Sequence, residues 1–287
     1  MKYIIDKDYD DVRLDRFLRN NLKELALTEI FKAIRTGKIK VNGKKSKQNY
    51  RLKEGDEIKI FLNLSPKSDI TITREINDKE IKYIKNSIVY EDENILIFNK
   101  KPNEVMHKGS GHEYGISELI KGYLENPNFN FVNRIDRLTS GLVIGAKNLV
   151  TIRNLAAEIR DRNIVKKYYI LVEGKILKNN FIIKSYLKKM EDKVIELDKF
   201  ETGAKESISK FKVIKSNQKY TLLEGTLGTG RTHQLRVQLS NMGHPIVGDG
   251  KYGHKGEFMF LFSYYLNIPK YDIEIEMPLP TEFCKFI

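Results

Sequence analysis

The sequence predicts an α+β protein of two unequal parts: a small helical and hairpin unit at the start, and a larger, mainly antiparallel, mixed-sheet domain after it. Three observations predict this. Residues 1 to 61 hold two helical apolar patterns and two short alternating runs within sixty positions. Residues 62 to 81, read from LNLSPKSDITITREINDKE onward, carry few apolar anchors and read as a linker. From residue 82 to 287, strand-like runs follow one another with only two helical interruptions, which is the pattern of an α+β domain. At 287 residues and 33.4 kDa the chain is long enough to bury a sizeable core in either arrangement.

In the first part, Leu14, Phe17, Leu18 and Leu22 recur at helical spacing, and Thr28 is a candidate cap for a second short helix carrying Ile30, Phe31 and Ile34. Gly37 ends it. Ile39 and Val41 then alternate into Asn42-Gly43, the favoured two-residue hairpin turn, and Gly55-Asp56 precedes a strand through Ile58 and Ile60. In the second part the expected strands are SIVYEDENILIFNKK, FVNRID, LVIGAK, VKKYYILVEGK, KVIEL, SKFKVIKS and KYTLLEGTL, rich in β-branched and aromatic residues. The two helices are placed at Thr151 to Arg162, with Ile152, Leu155 and Ile159 on one face, and at Thr232 to Met242, with Leu235, Leu239 and Met242 inward and Gly243 closing.

Charge points to the partner. Lys and Arg number 51 against 38 Asp and Glu, a formal +13 with a pI near 9.4, and that excess suits a polyanion, with nucleic acid ahead of a membrane surface. Residues 1 to 61 alone hold 16 basic and 10 acidic side chains, and residues 30 to 53 hold nine basic and none acidic. No run of 18 apolar residues exists and the start, MKYIIDKDYDD, lacks the apolar core of a signal peptide, so a soluble, cytoplasmic protein is expected, without a membrane partner. The single cysteine, Cys284, excludes an internal disulfide, and a CxxC zinc site is absent.

Several chemistries fall away on motif grounds. Gly225 to Thr232, GTLGTGRT, has the spacing of a phosphate-binding loop, but Arg231 stands where that loop needs lysine, and no second acidic strand offers magnesium a ligand. No GxGxxG follows a strand, and the histidines at 233, 244 and 254 form no metal-ligand spacing, so no metal and no cofactor is expected. What is left is a carboxylate. Asp136 lies in a loop between two apolar strands, flanked by Arg134 and Arg137, whose charges would keep it ionised. Such an anion is either a nucleophile toward an electrophilic carbon or one member of an Arg-Asp-Arg surface network, and local sequence leaves both open.

RLDRFL, IFKAIRTGKIKVNGK and LKEGDEI, in that order, resemble the S4 RNA-binding domain, an αL-like fold. The resemblance implies that Lys32, Arg35, Lys38, Lys40, Lys44 and Lys45 lie on RNA phosphates. The plainer alternative is a lysine-rich face that only solvates the protein. Further along, NRIDRLTSGLVIGAK resembles the HRLDxxTSGLLVxAK signature of the RluA-type pseudouridine synthases. KKYYILVEG, residues 166 to 174, is similar to their KxYxALVxG segment, and TGRTHQLRVQLSNMGHPIVGD, residues 229 to 249, to their TGRTHQIRVHxxxxGHPIxGD segment.

That resemblance implies isomerisation of uridine to pseudouridine in RNA, in which uracil leaves the ribose, rotates and rejoins through carbon, with no added cofactor. It makes Asp136 the nucleophile or base, Tyr168 the residue that packs on the target base and handles a proton, and Arg236 the partner that holds Asp136. Tyr168 and Tyr169 point to opposite faces of their strand, so one of them belongs to the core. Arg134 would enter the space left by a flipped-out nucleotide, a displacement that costs a few kcal/mol, and Arg137 would also contact RNA. Thr139, Ser140 and Gly141 would shape the loop, and His233 and Gln234 would contact RNA or fix the loop.

Two positions depart from the signature: Asn133 replaces the usual histidine and Ile135 a leucine. Asparagine cannot titrate near neutral pH, so any proton-shuttling role at that position is in doubt. HKGSGHEYGISELI, residues 107 to 120, is most similar to the branch of the family that acts on large-subunit ribosomal RNA, which implies 23S ribosomal RNA as substrate; RNA is the expected partner and a monomer the expected state, although nothing in the sequence sets the latter. The competing readings are an S4-type RNA-binding or ribosome-assembly protein without turnover, and an RNA-modifying enzyme that uses a methyl donor.

Overall fold

The structure of the protein is a computed structural model, which describes residues 1–22, 24–62, 75–107 and 114–287. The first part contains β1 (Lys2–Ile4), a single 3₁₀ turn (Lys7–Tyr9), α1 (Leu14–Asn21), α2 (Leu27–Thr36), β2 (Ile39–Val41) and β3 (Glu57–Ile60). Its three strands pair antiparallel in the order β1-β3-β2. Leu14, Phe17, Leu18, Ile30, Ile34 and Ile58 close one core between the two helices and this sheet.

Thr28 does not cap α2. The helix begins at Leu27 and the Glu29 carboxylate reaches back to accept from the Ala26 N–H at 2.8 Å, so Thr28 is already helical. Gly37 does end it, in the left-handed region at φ 77°, and a Cβ there would press on the Lys45 side chain lying over it. Asn42 and Gly43, at φ 49° and 76°, form the tight turn, across which Val41 and Lys44 exchange backbone hydrogen bonds at 2.9 Å in a single antiparallel bridge, while the strand partner of β2 is β3.

The second part opens with α3 (Asp78–Ser87), capped by Asn77 and Glu80, whose first turn, residues 78–81, falls at the end of the stretch 62 to 81 read from sequence as a linker; residues 63–74 of that stretch lie outside the described residues. Then come β4 (Ile88–Glu91), β5 (Ile95–Lys100), α4 (Ile116–Tyr123), β6 (Asn130–Phe131), β7 (Ser140–Ala146), α5 (Leu149–Arg160) and β8 (Val165–Glu173). They are followed by β9 (Asn180–Lys189), β10 (Val194–Leu197), β11 (Ala204–Ser216), β12 (Tyr220–Leu227), α6 (Gln234–Asn241), β13 (Leu261–Ile268), β14 (Ile273–Glu276) and α7 (Thr281–Cys284). The eleven strands make one sheet in the order β10-β9-β11-β12-β8-β13-β7-β5-β4, with β14 on β13 and β6 on β7. Every pair is antiparallel except β13 with β7, where Phe262 and Ser263 run beside Ser140 and Gly141.

That parallel seam explains Gly141. Its φ is 109°, and a Cβ would collide with the Ser263 backbone, so only glycine lets the two strands approach there. β8 has opposite cores on its two faces. Tyr168, Ile170 and Val172 pack with Leu235 and Leu239 of α6, whereas Leu171 joins Phe260, Phe262 and Phe283 on the other side. Leu235 and Leu239 face inward as their spacing predicts, but Met242 is 37% exposed, because α6 ends at Asn241 and the chain turns away at Gly243. The helix expected from Thr151 starts earlier, at Leu149, where Asn148 accepts from the Thr151 N–H at 2.8 Å.

The two parts touch where the 3₁₀ turn meets α5. The Asp8 carboxylate accepts from the first N–H of α5, Leu149, at 3.2 Å, and Arg153 donates to the Asp8 and Asp10 carbonyls at 2.9 and 3.3 Å. A carboxylate at that helix start meets its free N–H groups and the positive end of its dipole.

Candidate active site

Three pieces of chain meet over the cleft face of β8: the loop from Val132 to Thr139, the turn from Gly230 to His233 that leads into α6, and Arg236 in the first turns of that helix. They enclose a cleft of about 290 Å³ with Tyr168 and Lys166 on its wall. Asp136 is in it, but its companions are not the adjacent arginines. Arg134 and Arg137 are exposed and make no ion pair with it among the described residues. The partner comes from 100 residues away: Arg236 Nη1 lies 3.1 Å from Asp136 Oδ2. The expectation that Arg134 and Arg137 lie beside the carboxylate as its charge neighbours is therefore corrected, since loop geometry turns both outward, whereas pairing with Arg236 matches what the resemblance implies.

Arg236 is only 4% exposed and would not tolerate burial alone. Asp249, fully buried, takes it bidentately, with Nε to Oδ2 at 2.7 Å and Nη2 to Oδ1 at 2.8 Å, leaving Nη1 for Asp136. Beneath the guanidinium lies the Tyr252 ring, 5.2 Å from Cζ to centroid. Burial alone would lower the arginine's pKa; Asp249 and Asp136 outweigh it and raise it. Burial would likewise raise Asp249, yet Arg236 and the N–H groups of Lys251 and Tyr252 hold it below the usual carboxylate range. Asp249 had no role in the sequence reading, although it ends the quoted GHPIVGD segment.

Tyr168 is the buried member of its pair, 5% exposed, while Tyr169 stacks on Tyr264 across the sheet with centroids 3.7 Å apart. Burial pushes the Tyr168 phenol up to about 12, with the Ser263 hydroxyl opposing and the Asp136 carboxylate reinforcing, so it is a neutral donor at physiological pH. Lys166, one face-step along β8, has its pKa lowered by burial and makes no ion pair among the described residues. The loop itself is clamped from below. Lys100, wholly buried at the end of β5, donates to the carbonyls of Lys101, Glu104 and Arg137 at 2.7, 3.2 and 3.0 Å, and burial pulls its pKa down to about 8.

Asn133 answers the question its departure raised. Its Oδ1 accepts from the Ile144 N–H at 2.7 Å, stapling the loop to β7, a job that needs an acceptor and no titration. Ile135 is buried among Phe98, Phe131 and Val143, where leucine's volume is matched. Of the two roles expected of it, RNA contact or loop fixing, Gln234 has the geometry of the second. It is 3% exposed and fully used inside, accepting from Thr229 Oγ1 and the Arg231 N–H at 2.8 and 3.0 Å and donating to the Ile208 carbonyl and Ser209 Oγ at 2.9 Å each. It fixes the turn. His233 likewise faces the cleft rather than the outer surface, with Nε2 3.7 Å from Asp136 Oδ2.

On the small domain, Lys32, Arg35, Lys38, Lys44 and Lys45 are exposed, and none has an acidic partner among the described residues; Lys40 is half-buried, with Nζ over the Phe61 ring at 5.7 Å. The segment 107 to 120, which carries the likeness to large-subunit enzymes, lies partly outside the described residues, at 108–113. No helix among the described residues is long and apolar enough to cross a membrane.

Comparison with known proteins bears on this geometry directly. The sequence profile of the RNA pseudouridylate synthases matches residues 94–241, and that of the S4 domain residues 12–58. The chain is 40% identical over 257 residues to a ribosomal large subunit pseudouridine synthase C of Buchnera aphidicola, covering 88% of this chain and 80% of the relative. It is 33% identical to the protein of that name from Vibrio parahaemolyticus, over 88% of this chain and 79% of the relative. Among solved structures it resembles human RNA pseudouridylate synthase domain containing 1, with a TM-score of 0.58 at 25% identity, over 68% of this chain and 83% of that one.

Proposed function

This chain belongs to the RNA pseudouridylate synthase family and carries an S4 domain, and from that premise we propose how it acts: Asp136 isomerises uridines of large-subunit ribosomal RNA that the S4 face has engaged. The observation that carries the reading is the Asp136–Arg236 contact at 3.1 Å in a cleft that Tyr168 also lines. A carboxylate so placed can attack the sugar or remove one of its protons while a single arginine fixes its orientation.

The reaction balances within the nucleotide. The bond from ribose C1′ to uracil N1 breaks, a bond from C1′ to C5 forms, the C5 proton leaves and N1 gains one. No electrons or groups are supplied from outside, so the reading calls for no cofactor, and one chain contains every residue it uses, consistent with a monomer. With ribosomal RNA as substrate the site of action is the cytoplasm.

Roles follow from position. Tyr168, neutral and at the cleft wall, lies against the extruded base. Arg134, at the cleft rim and exposed, is free to occupy the gap in the RNA stack. Lys32, Arg35, Lys38, Lys44 and Lys45 meet phosphates, with Lys40 and Arg137 as outer contacts. The test is Asp136→Asn, assayed by release of tritium from RNA labelled at uridine C5. RNA binding is expected to persist and tritium release to cease; continued release would remove Asp136 from the chemistry and return the non-catalytic RNA-binding reading.

A further inference from the structure

His233 is the residue before α6 and adopts φ 54°, a left-handed conformation that turns its ring into the cleft instead of along the helix. Its Nδ1 lies 2.8 Å from the Tyr252 hydroxyl, and its Nε2 3.7 Å from Asp136 Oδ2. The state of the ring can be worked out from Tyr252. That hydroxyl already accepts the Val194 N–H at 3.0 Å, and the described residues offer its own hydrogen no acceptor other than His233 Nδ1. Nδ1 is therefore the acceptor, and the imidazole proton resides on Nε2, aimed at Asp136.

Both donors directed at Asp136, Arg236 Nη1 and His233 Nε2, converge on the same oxygen, Oδ2. Arg236 bonds Oδ2 at 3.1 Å and His233 Nε2 stands 3.7 Å from the same atom, just outside hydrogen-bond reach, so Oδ1 is the oxygen left to the substrate. We propose that His233 is a positioning residue for the pseudouridylation reaction: held in its Nε2–H tautomer by Tyr252, it closes the remaining few tenths of an ångström onto Asp136 Oδ2 when RNA binds and, with Arg236, leaves Oδ1 alone to meet the ribose. The inference rests on the reading of Asp136 given above. A neutral ring suits the task, and burial does lower the His233 pKa, although Asp136 opposes the shift. An imidazolium would instead neutralise the reacting carboxylate.

The tautomer gives the test its discrimination. Glutamine can place an amide N–H where imidazole has Nε2, whereas asparagine reaches only as far as Nδ1. Asparagine is, however, the better residue for a left-handed backbone. A purely conformational role thus ranks His233→Asn above His233→Gln, and the donor role ranks them the other way. In the tritium-release assay, His233→Gln is expected to retain kcat within about tenfold of the parent, and His233→Asn to lose on the order of a hundredfold, the scale of a misplaced reacting group. KM for RNA should stay constant in both.

Tyr252→Phe keeps the ring under Arg236 but frees the tautomer. It should lower kcat by a larger factor in the parent than in the His233→Gln background, where no tautomer remains to be set. An asparagine variant as active as the glutamine one, a change in KM alone, or equal Tyr252→Phe losses in both backgrounds would overturn the proposal. Asp136→Asn run beside them separates the two levels: turnover surviving there defeats the reading of the reaction itself, whereas its loss together with the wrong Gln/Asn order defeats only the role of His233.

Discussion

On the S4 face, Lys32, Arg35, Lys38, Lys44 and Lys45 stand in solvent with no carboxylate opposite them among the described residues, whereas in the cleft Arg236 is enclosed by Asp249, Asp136 and the Tyr252 ring. The same formal charge serves two ends. Exposed, unpaired cations release counterions when they meet phosphates, which yields affinity without geometric precision. A cation neutralised inside the protein contributes little long-range attraction and yields geometry instead, one Nη atom directed at one carboxylate oxygen. The surface region can therefore lose single charges gradually, while the cleft cannot.

The sharpest way to break this contrast is Asp249→Ala. It leaves the Arg236 guanidinium buried with half its partners gone, and a loss of about 3–5 kcal/mol in urea unfolding is expected, with turnover abolished. The milder Asp249→Asn reports the pH side. Because the folded Asp249 pKa is depressed, its stabilisation is complete above the unfolded value of about 3.9 and is lost as pH falls through the lower folded value. The parent should thus lose stability in acid more steeply than Asp249→Asn.

A smaller effect is expected at the S4 face. Replacing Lys32, Arg35 and Lys38 together by alanine should weaken RNA binding on the order of tenfold and make the slope of log affinity against log salt about 2 units shallower for single-stranded RNA. The kcat at saturating RNA and the melting temperature should hold. An unchanged salt slope would show that this face is not the anchor, and a fallen kcat would show that the two regions are not separable in the way described. The smallest effect belongs to Asn133→Ala, which strands the Ile144 N–H at about 1 kcal/mol in stability. Asn133→His, which can still accept at Nδ1, should come close to the parent in both stability and pH profile.

Much of this was legible in the chain. Gly37 and Asn42-Gly43 marked turns because their backbones take left-handed angles, and Leu235 and Leu239 showed the buried side of α6 by spacing. Asp136, Tyr168 and Arg236 were readable because a resemblance joined blocks far apart in sequence. Arg236 was the expected partner of Asp136; what sequence nearness suggested wrongly was that Arg134 and Arg137 also lie against the carboxylate. Asp249 and Tyr252 gave no local signal, since their roles exist only once the chain folds back over α6. Among the elements, β13 was missed because a short, uninterrupted aromatic and aliphatic run such as LFSYYLNI has no period to distinguish strand from helix. α3 was missed because only Ile84 among its apolar residues is fully buried, so its pattern is diluted by lysines.

The position of β13 orders events during synthesis. The small domain closes on contacts within its first sixty residues, and can fold while the rest of the polypeptide is still being made. The sheet behind the cleft stays divided until residues 261–268 arrive to bridge β8 and β7. With the S4 face as the RNA anchor proposed above, a nascent chain would gain its hold on RNA well before its reactive centre, and a truncated product of interrupted translation would be a competitor for the substrate rather than a slow enzyme.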